Sequence, residues 1–414
     1  MLRRAALGLA IPALLLTGAC VDDADPQDDS ADDGGDDEGG TDTPVAWLDS
    51  CLDGAEGGSV SAVTWTVDED WFYGPPMLHP LPDGGVVAVG EVPGELMPGD
   101  EEPWPGVVVT AYDADGTARW TDRYDGYVGF VPDPTGVTVD DQGRVFVSVF
   151  DVYARIVYDP DGGGDRSLGD LTVLSWDAEG QRRFLSRTEP CGPHQAGGLG
   201  WGPDGLLRTV WGFGEFDARA CVQSASSVGK AQDPTSDSVE FAFPVEPDAG
   251  FYLPRVQPNG EVLAGAWLNI GDGLARYSAD GELVWSRELA SEDSELPRAW
   301  PGTVGDYTVV NWREVADVPL HAVALDPAGE VVWTHPGRSA GRTCSGHVIT
   351  ELEGGGYALV DGQSGEELET FEIEGVSLDP EAAADGIDFI PAHDGGLYAT
   401  VYAGSSGYVL LRFD

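Results

Sequence analysis

Two Cys-x-x-His clusters have the spacing that most invites chemistry: CGPH, Cys191 to His194, and CSGH, Cys344 to His347. Brought together, two thiolates and two imidazoles would suit tetrahedral zinc. An exported chain oxidises its thiols, however, and the two clusters fall in distant repeats, so the zinc reading ranks below a structural one. A second candidate is the glycine-bearing acidic run YDPDGGGD, Tyr158 to Asp165, where Asp159, Asp161 and Asp165 could turn around a calcium ion. It lacks the bidentate glutamate that closes an EF-hand loop, so a surface loop between strands is preferred and calcium is the lesser reading. No H-E-x-x-H helix or Walker-type loop occurs in the chain, which leaves zinc-hydrolase chemistry without a positive sign.

The elements that must carry these residues begin with an export layout. Residues 1–20, MLRRAALGLAIPALLLTGAC, combine two arginines, an apolar run and small residues before a cysteine. The apolar run is short for a bilayer span. The segment resembles a bacterial lipoprotein signal, which implies that Cys20 becomes the lipidated first residue and that the chain is tethered to a membrane without crossing it. An ordinary secretory signal is the alternative. Residues 21–43 hold eleven acidic groups and no aromatic side chain, too little apolar surface to offset ordering, so they read as a disordered acidic tether. Residues 44–58 read as a linker, and residues 59–414 as the folded domain.

Charge narrows the partners. The chain has 73 Asp and Glu against 21 Lys and Arg, a formal net charge of −52. Nucleic acid and anionic lipid surfaces are therefore excluded as partners of the folded part, leaving the lipid anchor as its only contact with a membrane.

Within the domain one phrase recurs four times: AYDADGTARW (Ala111 to Trp120), SWDAEGQRRF (Ser175 to Phe184), RYSADGELVW (Arg276 to Trp285) and ALDPAGEVVW (Ala324 to Trp333). Each places a turn glycine between two β-prone runs and closes on an aromatic residue, the signature of a hairpin. A second hairpin phrase recurs at Pro82 to Gly90, Asp140 to Val149, Gly202 to Trp211, Pro258 to Trp267, Glu353 to Val360 and His393 to Tyr402, with a weaker version at Gly302 to Trp312. Units of two hairpins, each too thin to bury a core alone, predict an all-β, seven-bladed β-propeller of four-stranded antiparallel blades. The last unit supplies three strands, so the alternating run Ser59 to Asp68 is expected to add its outer strand and close the ring. The tryptophans Trp120, Trp285 and Trp333 are expected to pack between neighbouring blades.

VTVDDQGRVFVSVF with LTVLSWDAEG resembles the bacterial seven-bladed propeller repeat, and AYDADGTARW and ALDPAGEVVW resemble PQQ-like propeller repeats. A working quinoprotein dehydrogenase would imply adjacent cysteines beside the quinone, and no two cysteines are adjacent here. That activity is therefore disfavoured, and no cofactor is expected beyond the calcium weighed above. In propeller topology Cys191 and Cys221 fall on one face of the third blade, which suggests a disulfide between them. Elimination then leaves Cys51 with Cys344, although these two are expected on opposite faces, so free thiols stay open for that pair.

The segments linking one blade to the next are DWFYGPP, DGYVGFVPDP, CGPHQ, AGFYLPR, PRAWPG and TCSGH. If they gather around the channel mouth, Trp71, Phe72, Tyr73, Tyr127, Phe130, His194, Phe251, Tyr252, Trp300 and His347 line a funnel with Arg255 and Arg298 nearby. Aromatic walls with a few polar groups suit a pyranose or a peptide side chain; packing between blades is the competing role. The sequence thus points to a monomeric, lipid-anchored β-propeller of the cell envelope, at the outer membrane or cell surface. There it would act as a non-catalytic module binding a glycan, a peptide or an envelope protein. The alternative is an enzyme acting on a glycan in the central funnel.

Overall fold

The computed structural model describes residues 63–69, 76–92, 106–125, 131–156, 166–187, 194–201, 206–213, 227–232, 239–245, 250–257, 260–268, 271–279, 281–288, 302–304, 307–312, 320–353, 355–373, 387–402 and 408–413. All lie in the second of two compact units, Met1–Asp42 and Thr43–Asp414. Every regular element among them is a strand.

After β1 (Val63–Glu69), the chain builds four-stranded antiparallel sheets in simple sequence order. The first holds β2 (Met77–Pro80), β3 (Val86–Val92), β4 (Gly106–Tyr112) and β5 (Ala118–Tyr124); the second β6 (Val131–Val139), β7 (Val145–Ile156), β8 (Arg166–Trp176) and β9 (Arg182–Arg187). The third holds β10 (His194–Trp201), β11 (Leu207–Phe213), β12 (Ser227–Gln232) and β13 (Val239–Val245). The fourth has β14 (Gly250–Val256), β15 (Val262–Leu268), β16 (Gly271–Tyr277) and β17 (Leu283–Glu288); the fifth β18 (Gly302–Val304), β19 (Tyr307–Trp312), β20 (His321–Leu325) and β21 (Val331–Pro336).

The remaining strands form one eight-stranded sheet in place of the two separate blades expected. One half is β22 (Arg338–Arg342), β23 (His347–Glu351), β24 (Tyr357–Asp361) and β25 (Glu367–Phe371). The other is β26 (Asp388–Pro391), β27 (Leu397–Tyr402) and β28 (Tyr408–Phe413), with β1 added outside β28. The halves are joined by a single parallel pairing, Gly341 with Phe389. Glycine permits it: Gly341 has φ +147°, and a Cβ there would stand 2.2 Å from the Phe389 carbonyl oxygen. The strand β1 itself meets the expectation for the N-terminal run, pairing antiparallel with β28 from Val63 opposite Phe413 to Glu69 opposite Tyr408.

The recurring phrase has a physical cause. At Asp113 to Thr117 the Asp113 N–H donates to the Thr117 carbonyl at 2.9 Å and the Gly116 N–H to the Asp113 carbonyl at 2.9 Å, with Gly116 at φ 83°. This hairpin turn requires a positive φ at its last position, which glycine alone adopts without strain. The equivalent turn at Asp177 to Gln181 also receives the preceding sheet. Trp120 donates its indole N–H to the Ala178 carbonyl at 3.1 Å, and a Cβ on Gly180 would come within 2.5 Å of that ring. Trp285 lies against Gly329 and Trp333 against Gly365 in the same way, so the tryptophans pack between neighbouring sheets as expected.

Alternation along the strands gives each sheet two apolar faces, both covered. Val87 and Val109 of the first sheet meet Val147 and Leu174 of the second. Phe146 packs edge-on against Trp201 of the third, the rings 5.1 Å apart. A Cβ on Gly200 of the third would meet Val256 of the fourth at 2.8 Å. Leu274 of the fourth packs on Val323 and Leu325 of the fifth, and Ala324 and Trp333 pack on Val348 and Val360. Ile349 and Tyr357 meet Phe389 and Phe413, and finally Tyr398 and Leu410 pack on Val86 and Tyr112 of the first sheet. Each fully buried Val, Leu or Phe contributes about 1.5–3 kcal/mol.

One part of the repeat reading is corrected. Glu353 to Val360 shares its phrase with Pro82 to Gly90 and Asp140 to Val149, which turn between the first and second strands of their sheets, yet the turn at Leu352 to Gly356 joins the second and third strands, β23 and β24. The first hairpin, β22 to β23, turns through TCSG, with Thr343 N–H donating to the His347 carbonyl at 2.9 Å. The misreading arises because only Gly337 separates β21 from β22, whereas the other sheets are joined by longer links rich in proline and aromatics.

Candidate functional site

That correction moves two predicted site residues. Cys344 and His347 lie on the tight-turn end of the strands, at the β22–β23 hairpin, and not on a link between sheets with His194, Phe251 and Tyr252. His194 opens β10, and Phe251 and Tyr252 fall near the start of β14, at the link end as expected; Arg255 sits toward the opposite, tight-turn end of β14. The structure therefore does not bring His347 into one funnel with the other candidates. Trp71, Phe72, Tyr73, Tyr127, Phe130, Arg298 and Trp300 lie outside the described residues, as do Cys20, Cys51, Cys191, Cys221, Asp159, Asp161 and Asp165.

Several chemistry-bearing side chains among the described residues meet at the tight-turn end of β22 and β23. The Thr343 hydroxyl accepts the His347 N–H at 3.2 Å and lies 2.8 Å from the Ser345 hydroxyl. Ser345 Oγ is in turn 3.0 Å from His347 Nδ1. Asp361 stands opposite His347 in the β23–β24 ladder, which assembles a serine, a histidine and a carboxylate within one hairpin. The bonding, however, is that of a braced turn. Asp361 accepts the Ser364 N–H at 2.7 Å, the Ser364 hydroxyl at 2.8 Å and the Gln363 N–H at 3.1 Å. Those serine bonds, backbone first, hold its carboxyl below the usual carboxylate range, with a smaller contribution from His347. Ser345 reaches the imidazole from two residues upstream, inside the same turn, so the contact braces the loop.

Cys344 Sγ lies 3.2 Å from the Ala392 carbonyl oxygen, in the next turn along. Ser345 and His347 meet each other, whereas Cys344 contacts Ala392. Among the described residues no group of three or more His, Cys, Asp and Glu side chains could hold a metal.

His79 is a buried titratable group at this end of the strands. Its Nδ1 is 2.9 Å from the Pro80 carbonyl oxygen, which assigns the proton to Nδ1, while the buried Nε2 has no hydrogen-bond partner. Burial, with the positive charge of Arg342 adding to it, pushes the imidazole down to about 4. Sequence reading passed over His79 because MLHP carries no motif; its position next to a strand-ending proline was the only signal.

Polar side chains elsewhere tie sheet to sheet. Asp122 of β5 accepts the Trp176 indole N–H at 2.6 Å and Arg182 Nη2 at 2.7 Å. Desolvation opposes ionisation of Asp122, but these two bonds hold its carboxyl below the usual range. Asn311 bridges to the Ser339 backbone, donating to its carbonyl at 3.1 Å and accepting its N–H at 2.5 Å. Arg338 Nη1 meets Asp388 at 2.7 Å, and its Nε meets Glu351 at 3.1 Å. Arg412 joins the last strands to the first sheet, with Nη1 donating to the Gly84 carbonyl at 3.0 Å and Nη2 to Asp394 at 2.5 Å.

No protein-family profile matches the sequence, and no curated protein matches it either. Solved structures do. One is BBS1N, crystallised in complex with ARL6DN, at 11% identity and a TM-score of 0.51, covering 86% of this chain and 97% of that one. Another is the Cps50 (Swd1) β-propeller domain of Myceliophteria thermophila, at 11% identity and a TM-score of 0.49, covering 85% and 99%. BamB from Moraxella catarrhalis aligns at 13% identity and a TM-score of 0.41, covering 86% and 100%. At these identities the similarity concerns the fold: the chain is all-β and its structural neighbours are β-propellers.

Proposed function

We propose that this protein is a seven-bladed β-propeller of the cell envelope, anchored through Cys20, that works as a non-catalytic module for holding another protein. The observation that carries the reading is the use made of the polar side chains. Among the described residues, polar groups such as Asp361, Asp122 and Arg412 are engaged in bracing turns or in tying one sheet to the next. Seven four-strand runs, two of them fused through Gly341, account for the eight-stranded sheet, and packing of the last strands on the first sheet supports a closed ring. The tether of residues 21–43 would give such a module reach from the membrane.

The same reading assigns the cysteines. Cys344 is disulfide-bonded, and Cys51 is our proposed partner. What supports the pairing is that Val63 opens β1 at the sheet end that holds Ala392, the end at which Cys344 also lies. Cys191 with Cys221 remains the proposed second pair.

Two experiments test this. The full chain in detergent should bind members of a peptide array and turn over no glycan substrate; hydrolysis of a glycan would remove the non-catalytic reading. Replacing Cys20 by Ala should release the protein from membranes, and retention of that variant would remove the lipid anchor.

A further inference from the structure

All the large hydrophobic side chains that stand exposed among the described residues belong to three outer strands: Leu283 and Val284 of β17, Val331 and Val332 of β21, and Leu368 of β25. They are 39–49% exposed. Leu283-Val284 and Val331-Val332 occupy the two positions before the packing tryptophan of their repeat. The same two positions hold Ala118-Arg119 on β5 and Arg182-Arg183 on β9. Those arginines are paired, Arg119 with Asp83 at 2.5 Å, Arg182 with Asp122 at 2.7 Å and Arg183 with Asp177 at 2.5 Å. The repeat therefore does not demand an aliphatic pair there; three consecutive units carry aliphatic side chains and the first two carry paired charge.

An exposed valine pair on the last strand of a sheet is what folded proteins ordinarily avoid. Among the described residues β21 is hydrogen-bonded to β20 only, and its other edge carries no strand. The flanking charge is mainly acidic: Glu282 precedes Leu283, Glu330 precedes Val331, and Glu366, Glu367 and Glu369 surround Leu368, all exposed, with Arg287 of β17 reaching Glu330 at 3.3 Å. Two copies of a chain at −52 meeting through these glutamates would repel.

We propose that this rim, centred on β21, is the docking edge, and that its occupant is an extended segment of another protein in which lysine or arginine alternates with aliphatic residues. Such a segment adds as a strand to β21, its backbone completing the ladder, its aliphatic side chains covering Val331 and Val332, and its cations meeting Glu330 and the neighbouring glutamates. The inference rests on the reading of the protein as a binding module and names the partner's chemistry.

The probe is a short synthetic peptide alternating lysine with valine, titrated against the full chain by fluorescence anisotropy. Two controls accompany it, one alternating glutamate with valine and one with the lysines and valines in separate blocks. The alternating basic peptide should bind about tenfold or more tightly than either control, weaken as salt is raised, and lose about tenfold in affinity in V331S/V332S. A118S on β5 should leave it unchanged. Both variants alter exposed side chains, and their thermal midpoints should match that of the parent. Equal binding of the alternating and block peptides would overturn the proposal, as would parental affinity in V331S/V332S. A dimer in sedimentation that V331S/V332S dissolves would overturn it too, by giving the edge to a second copy. Failure of the basic peptide sinks this partner chemistry alone, because the peptide array and glycan assays above judge the binding-module reading separately.

Discussion

Replacing Arg412 by Ala tests the junction between the last strands and the first sheet. The guanidinium side chain is 7% exposed and makes three bonds: Gly84 carbonyl at 3.0 Å, Tyr398 hydroxyl at 2.5 Å and Asp394 carboxylate at 2.5 Å. It also stacks over the Tyr398 ring at 5.1 Å. Removing one partner of a buried ion pair costs about 3–5 kcal/mol. Asp394 is 42% exposed and can be rehydrated, so the carboxylate part falls to about 1 kcal/mol. The Gly84 carbonyl and Tyr398 hydroxyl are buried and stay bonded to each other, so each loses only its bond to Arg412, worth about 1 kcal/mol apiece. A loss of about 3 kcal/mol follows, read as a shift of the urea midpoint at constant slope. The control is Arg119→Ala on the rim, whose partners Asp83 and Asp113 are about half exposed; its cost should stay under about 1 kcal/mol. An unchanged midpoint in Arg412→Ala, or an equal loss in Arg119→Ala, would refute the closing role given to Arg412.

Gly329→Ala should destabilise by more than about 2 kcal/mol, since its Cβ would sit 2.8 Å from the Trp285 ring at φ +81°. Gly355→Ala, with φ +97° and open space around it, should cost only the backbone strain of about 1–2 kcal/mol, so comparing their denaturation midpoints isolates the tryptophan contact. His79 is held neutral by burial, its folded value of about 4 lying below the ordinary imidazole value of 6.5. The unfolded chain therefore takes up the proton first, and stability is lost as pH falls from about 6.5 toward 4. The loss attributable to His79 is about 2 kcal/mol at pH 5, and His79→Leu should flatten that part of the pH profile. Peptide mapping without reductant should recover Cys51 joined to Cys344, and a Cys344 peptide joined to any other cysteine would reject that pairing. Raising salt from low to molar concentration should raise the thermal midpoint, because screening relieves the self-repulsion of a chain at −52.

Most of the fold was legible because its turns carry a chemical requirement. Gly116, Gly180, Gly281 and Gly329 all adopt the positive φ that the repeated phrase implies, and the unpartnered run before the first unit did become the outer strand beside β28. The phrase EGGG misled because glycine marks any tight turn, and nothing local tells whether that turn joins the first or the second pair of strands. TCSG went unread as a hairpin because Gly346 is its only glycine, although Thr343 and Ser345 brace it as firmly as Asp does elsewhere. The fusion of two sheets at Gly341 depends on a backbone approach across some fifty residues of sequence, and no periodicity records that. The site was less legible for a related reason. Cys-x-x-His reads as a metal motif, but its geometry here follows from turn bonding. The aliphatic pairs on β17 and β21 look like ordinary strand residues until their exposure is known.

The most direct test of a partner-holding role is photo-crosslinking in intact cells, from a crosslinking amino acid placed at position 332 and, as a control, at position 118. The expected result is one discrete protein adduct from position 332, absent from position 118 and lost in high salt. Adducts of equal yield from both positions, or none from either, would contradict a protein-binding role for this rim.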